Sequence, residues 1–294
     1  MIYHRTSLPL HHTLEEIAVP GLELFDLTAN ECSIEGFLDG YIPPHWHKEV
    51  EVFLLLEGEV FLEVEGQIVP IAQGEGCFIN TGVLHAFRTK NHAFYNSFVF
   101  DASIVGGEPG SVFDVRLVQP LLKDGPAFYK IPFNEDNFCL PLKKAFKACR
   151  DEKPEFEFAV RDELSKIMIY LFHAVENKTT LRFSPVQDSR IKQCLSWIDS
   201  HLDSTVSVSD ISSAANISER ECQRLFKTCL HRSPMEYLLY RRLMKAAHML
   251  TESDISITEA ALACGFNNSS HFSRKFKELT GSTPAQYRKI GQET

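Results

Sequence analysis

The chain has 294 residues, 44% of them hydrophobic and 23% charged, which is room for about two domains with ordinary apolar cores. No apolar run approaches the ~18 residues of a membrane span, and the N-terminus lacks the basic start and apolar stretch of a secretory signal. The chain is therefore expected to stay in the cytoplasm. A net charge of −9 argues against a nucleic-acid partner until it is divided along the chain: residues 1–184 balance at −11, whereas residues 185–294 carry 14 Lys/Arg against 12 Asp/Glu.

The first ~110 residues read as strands. In EVFLEVEG, Val60, Leu62 and Val64 fall on one face, with Glu59, Phe61, Glu63 and Glu65 on the other. Turn signals at Glu57-Gly58, Glu65-Gly66 and Gly74-Glu75-Gly76 recur at strand-length spacing, which predicts a small barrel or jelly roll. In PHWHKEVEVFLLLEG, equal parity puts His45, His47 and Glu51 on one face of an extended strand, and His85 arrives from a later one. Glu49 shares that parity, so which carboxylate faces inward stays open. Three imidazoles and a carboxylate suit a divalent metal; the same residues also suit a polar pocket for a small effector, with Tyr41 and Trp46 available to stack on a sugar-like ligand.

After about residue 137 the period changes. Val160, Leu164, Ile167, Met168, Leu171, Phe172 and Val175 give residues 156–178 a helical stripe, entered after Pro154. That stripe either packs on the barrel or buries itself against a second copy of the chain, a homodimer through residues 138–176. Residues 177–188 (NKTTLRFSPVQD) read as a linker. The eight cysteines are scattered, without C-x-x-C, and are expected to be buried reduced thiols.

The rest reads as helical, with one internal repeat. In residues 207–230 a short helix holding Ile211 breaks at Asn216, which tolerates left-handed backbone. Ser218 and Glu221 then form a capping box for a second helix, buried through Leu225 and Phe226. Residues 255–281 repeat the plan: a short helix, a Gly265-Phe266 turn, an Asn267/Asn268 cap, and a helix with Phe272 and Phe276 that stops at Gly281. The offset is about 51 residues, with Ser218 corresponding to Ser269. Residues 234–250 form the strut between the units. Two helix-turn-helix units on one strut suit successive major grooves ~34 Å apart. The exposed sides of the second helices supply the base readers: Arg220, Gln223 and Arg224 in the first, and Ser269, Ser270, His271, Ser273 and Arg274 in the second. Lys227, Lys275 and Lys277 suit phosphates.

These residues carry a resemblance. Ile257, Ala261, Gly265-Phe266, Phe272, Arg274, Phe276-Lys277, Gly281, Thr283-Pro284 and Tyr287-Arg288 resemble the C-terminal signature of the AraC/XylS family. Ser218, Arg224, Phe226-Lys227, Ser233-Pro234, Tyr237, Arg242 and Ala246 match its first unit. His231 departs, standing where that family has glycine. Gly74, Gly82 and His85, together with His45, His47, Glu51 and Gly58, resemble the two cupin motifs, with Asn80 in place of a proline and Thr89 in place of an asparagine. The resemblance implies an α+β two-domain protein. Residues 1–176 form a cupin-like barrel with following helices for effector binding and dimerisation, and residues 189–294 an all-α tandem helix-turn-helix domain. It implies a bacterial transcription regulator, an activator, with promoter DNA, a small effector and RNA polymerase as partners, and no catalysis. The rival reading is a metal-dependent cupin oxygenase or isomerase with an auxiliary DNA module.

Overall fold

A computed structural model of the chain describes residues 2, 25–175 and 185–292. The chain forms two compact units that divide at about residue 183. In the first, eight strands run as β1 (Leu27–Ser33), β2 (Tyr41–His45), β3 (Val50–Val64), β4 (Gln67–Ala72), β5 (Gly76–Ile79), β6 (His85–Arg88), β7 (Ala93–Phe100) and β8 (Phe128–Ile131). They build two antiparallel layers, β1-β7-β3-β5-β8 and a group in which β3 pairs with β4 and β6 while β6 pairs with β2.

The 15-residue strand β3 belongs to both layers. Its first part pairs with β7 and β5, and from Glu59 onward it pairs with β4 and β6. The register shifts between Leu55 and Glu57, and Gly58 follows with φ 85°. A Cβ there would lie 2.0 Å from the His92 carbonyl oxygen, so this corner accepts only glycine.

The run V-E-V-F-L-L-L is apolar on both faces because both are covered. Phe53 and Leu55 point between the layers with Val60, Leu62, Val64 and Phe87, while Val52 and Leu54 point outward onto helices. Those helices are α2 (Asp136–Asp151) and α3 (Phe156–Val175), preceded by a single turn, α1 (Ser103–Gly106). Val160, Leu164, Ile167, Met168, Leu171 and Val175 are buried in the same cluster as Val52, Leu54, Phe98 and Phe146. The stripe is thus satisfied by the chain's own sheet and is not left over for a second copy. Glu63, expected outside, is buried: it accepts from the Tyr41 hydroxyl at 3.1 Å and meets Arg88 Nη2 at 2.8 Å. Tyr41, with Arg88 over its ring, is thereby committed to packing rather than to a ligand.

The second unit holds α4 (Pro185–Ser200), α5 (Val208–Ala214), α6 (Glu219–Leu230), α7 (Pro234–Glu252), α8 (Ile257–Ala263), α9 (Ser269–Thr280) and α10 (Pro284–Gln292). Residues 177–184 of the expected linker lie outside the described residues, and its last four, 185–188, are already helical. Ile217 N and Phe266 N each reach back five residues to a carbonyl, Ser212 and Ala261, so the two turns start alike. Asn267 then adds one residue. The cap equivalent to Ser218 is Asn268, not Ser269, and the offset is 49 residues before the turn and 50 after it.

Asn216 is left-handed (φ 52°), as is its counterpart Gly265 (φ 74°). A Cβ on Gly265 would come within 2.6 Å of Leu202 O. The core joins Phe226 to Tyr237, and Phe266, Phe272, Phe276 and Tyr287 in a chain of ring contacts. Strut α7, ~28 Å long at ~1.5 Å per residue, is tied to α4 by Arg241 on the buried Asp199 at 3.0 Å. All eight cysteines are buried thiols outside any disulfide.

His231 closes α6 in left-handed geometry (φ 54°, ψ 19°), where Gly281 closes α9. An L-residue there is strained by roughly 1 kcal/mol. The substitution His231→Gly should therefore stabilise the full chain by about 0.5 kcal/mol in denaturant unfolding, net of the freedom glycine gains in the unfolded chain. Destabilisation would contradict this assignment of strain.

Candidate functional site

The first unit carries a buried polar cluster. His45 ends β2, His47 sits in the turn after it, Glu51 is the second residue of β3, and His85 opens β6. The expectation of one continuous strand from His45 to Glu51 is incorrect, because the chain turns at Lys48-Glu49. The four residues nevertheless meet, each at most 5% exposed, with one donor atom from each lying within 4.8 Å of the others. Glu49 is half-buried outside the cluster, so Glu51 is the inward carboxylate.

Each imidazole is oriented by its own backbone. His45 Nδ1 lies 2.8 Å from Pro43 O, His47 Nδ1 3.0 Å from Glu49 O, and His85 Nδ1 2.8 Å from Val83 O. A carbonyl only accepts, so Nδ1 carries the hydrogen in all three rings and Nε2 keeps its lone pair. Burial, reinforced by the neighbouring imidazoles, holds His45 well below the usual imidazole range, hence neutral.

Glu51 Oε2 then faces His47 Nε2 at 3.6 Å and His85 Nε2 at 3.2 Å, and the buried His85 Nε2 has no hydrogen-bond donor. Acceptors converging in a dry interior call for a cation between them. Ligand bonds of roughly 2.0–2.2 Å place donors on opposite sides of one ion about 4 Å apart, close to the observed spread. A nitrogen-rich set with one carboxylate suits Zn, Fe, Mn, Ni or Cu rather than Mg or Ca. The residues present therefore fit a divalent transition metal. An aromatic stack of Phe87, Phe53 and Tyr95 continues from the His85 ring into the barrel.

The second unit offers the exposed sides of α6 and α9. Glu221 N donates to Ser218 Oγ (3.2 Å) and His271 N to Asn268 Oδ1 (2.9 Å), so both N-termini are capped by their own chain. On α6, Cys222, Leu225, Phe226, Cys229 and Leu230 are buried, leaving Arg220, Gln223, Arg224 and Lys227 exposed. On α9, Phe272 and Phe276 are buried, leaving Ser269, Ser270, His271, Arg274 and Lys277 exposed and Ser273 half-buried.

The cations on these faces are not equally free. Arg224 grips Glu221 with two bonds, Nε at 3.0 Å and Nη2 at 2.7 Å. The capping box expected at Ser218 is therefore only half made. Lys275 is paired with Glu278 at 2.6 Å, Arg274 lies 3.9 Å from the same carboxylate, and Lys227 Nζ reaches the His231 carbonyl at 3.4 Å. Arg220 makes no ion pair among the described residues. No helix of the described residues is long and apolar enough to cross a membrane.

Comparison with known proteins bears on both sites. A helix-turn-helix domain family matches residues 211–290, and a cupin domain family matches residues 39–94. The chain is similar to an uncharacterized HTH-type transcriptional regulator, YdeC, of Bacillus subtilis (strain 168), at 26% identity over 271 residues, 88% of this chain and 90% of the relative. It is also similar to the HTH-type transcriptional activator RhaS of Yersinia pestis (strain Pestoides F), at 23% over 252 residues, 84% and 89% of the two chains. Among solved structures it matches a transcriptional regulator with an AraC-type DNA-binding domain from Chromobacterium violaceum, with 29% identity and a TM-score of 0.35, over 37% of this chain and 96% of that one. With the tandem units and the barrel in place, the chain carries a cupin domain ahead of a helix-turn-helix domain and is similar over most of its length to HTH-type transcriptional regulators.

Proposed function

We propose that this chain is a sequence-specific DNA-binding transcription regulator, acting in the cytoplasm on promoter DNA through two helix-turn-helix units of unequal roles. The observation that carries this reading is the pair α6 and α9, each capped at its N-terminus, buried on one side and exposed on the other, joined by the rigid strut α7. Helix α6 reads sequence through Arg220, Gln223 and Arg224, since Arg suits guanine and Gln suits adenine in paired hydrogen bonds. Helix α9 offers Ser269, Ser270, His271 and Arg274, a blander set that mainly anchors, with Lys227 and Lys277 on phosphates. The relative named an activator supports activation, with RNA polymerase as the further partner.

The substitution Arg224→Ala should weaken binding to the cognate duplex by about 1–3 kcal/mol and relax sequence preference, whereas Lys277→Ala should weaken all sequences alike and lower the salt slope by about 1. Competition titration of cognate against random DNA reads both. An unchanged ratio for Arg224→Ala would remove it from the readers.

The barrel is the regulatory half, and no catalysis is assigned to it. Its four convergent side chains are closed off from solvent, as in a structural or sensing metal site, whereas catalytic sites keep an open position. We infer that His45, His47, Glu51 and His85 hold a divalent transition metal, which stabilises the barrel by mass action and biases DNA binding through linkage. A small organic effector, in this reading, acts on the barrel outside the four ligands. The chain pairs as a homodimer through surface other than the covered stripe of α3.

Elemental analysis of the purified full chain should find about one equivalent of Zn, Mn, Fe or Ni. Chelation should lower the unfolding temperature, and the double substitution His45→Ala/His47→Ala should abolish both binding and that shift. A metal-free chain whose unfolding temperature is indifferent to all four ions would contradict the metal.

A further inference from the structure

Among the described residues, five helices of the DNA-binding unit begin with the same written pattern, Ser or Thr followed three residues later by Asp, Glu or Gln. Four of them close the full reciprocal cap. Asp210 accepts from Ser207 N at 2.9 Å, Glu236 from Ser233 N at 2.7 Å, Glu259 from Ser256 N at 3.0 Å, and Gln286 from Thr283 N at 3.0 Å. The fifth, at α6, is open. Ser218 Oγ accepts from Glu221 N, but the Glu221 carboxylate is spent on Arg224 and nothing among the described residues accepts from Ser218 N. Ser218 and Arg224 stand three residues to either side of Glu221, so one carboxylate lies within reach of both.

We propose that Glu221 is a specificity-determining residue that exchanges partners: it holds Arg224 in the free protein and closes the α6 capping box on Ser218 when Arg224 is taken up by a base. This rests on the reading of α6 as a DNA-reading helix. Two physical consequences follow. Transfer of Arg224 to a base acceptor leaves no stranded carboxylate, because the Ser218 N–H receives it and the helix N-terminus favours its charge. On non-cognate DNA the same carboxylate stays beside the guanidinium, competes with phosphate for it and repels phosphate, so sequence-independent binding is suppressed. Glu221 thus raises the ratio of cognate to random affinity without touching a base.

The test uses the full chain, a duplex that the wild-type protein enriches from a random-sequence pool, and an unselected 30-base-pair duplex. Glu221→Gln keeps a side chain able to close the box, as Gln286 does at α10, but gives up the two charged bonds to Arg224. It should raise affinity for the unselected duplex by about 2- to 5-fold, the range of an exposed ion pair, and raise affinity for the enriched duplex less. Glu219→Gln removes an exposed charge two residues away and should shift both duplexes alike. In an Arg224→Ala background, Glu221→Gln should leave the ratio unchanged. Hydrogen exchange at the Ser218 amide, read without DNA, should slow in Arg224→Ala and not in Arg220→Ala. A Glu221→Gln effect that matches Glu219→Gln, one that survives the loss of Arg224, or an unaltered Ser218 amide would overturn the exchange while leaving DNA binding intact. If the wild-type chain enriches no sequence, the DNA reading fails and the proposal falls with it.

Discussion

The DNA-binding half depends on one backbone requirement: the first N–H groups of every helix have no partner within the helix. A helix that enters a groove must leave its first turn exposed and cannot bury those groups against another element. Side-chain caps meet the requirement, through Ser207, Ser218, Ser233, Ser256 and Asn268, each accepting from the backbone three residues on. Because the caps are local, the opposite faces of α6 and α9 are free to be wholly apolar. Phe226, Phe272 and Phe276 can then fix each helix against α7 and α10 without competing for hydrogen bonds.

The barrel meets a related requirement differently. Polar groups in a dry interior need partners, and each histidine of the cluster satisfies its Nδ1 on a carbonyl two residues away. What remains is collective: Nε2 atoms and a carboxylate face inward together. A single cation answers that need, whereas a neutral organic ligand would leave the carboxylate's charge uncompensated. The two halves therefore differ in what completes them. Helices α6 and α9 are capped by their own chain and present a surface outward; the barrel cluster points inward and, in the proposed reading, is completed by an ion.

Much of this was legible in residue order, and what was not has physical causes. Periodicity identified the stripe of α3 and the buried sides of α6 and α9, because a 3.6-residue repeat survives any surroundings. It left the partner of the α3 stripe open, since period reports a buried face and not what covers it; the sheet cluster of Val52, Leu54 and Phe98 settles that within the chain. The spacing of His45, His47, Glu51 and His85 pointed to one site, yet parity along one strand was the wrong geometric reason, as the turn at Lys48-Glu49 resets it. The repeat offset was misplaced by a residue because the extra Asn267 lies between two residues equally able to cap. Glu221 could not be assigned from spacing at all: a carboxylate three residues after a cap and three before an arginine satisfies both rules, and only coordinates show which partner it takes.

The measurement that tests the two-unit mode of DNA engagement most directly is hydroxyl-radical footprinting of the full chain on the duplex it enriches. Tandem units on the strut α7 predict two protected segments on one face of the duplex, centred about 34 Å apart, one helical turn. Substitution of Arg274 should weaken only the segment bound by α9. A single protected segment, indifferent to substitution in α9, would contradict it.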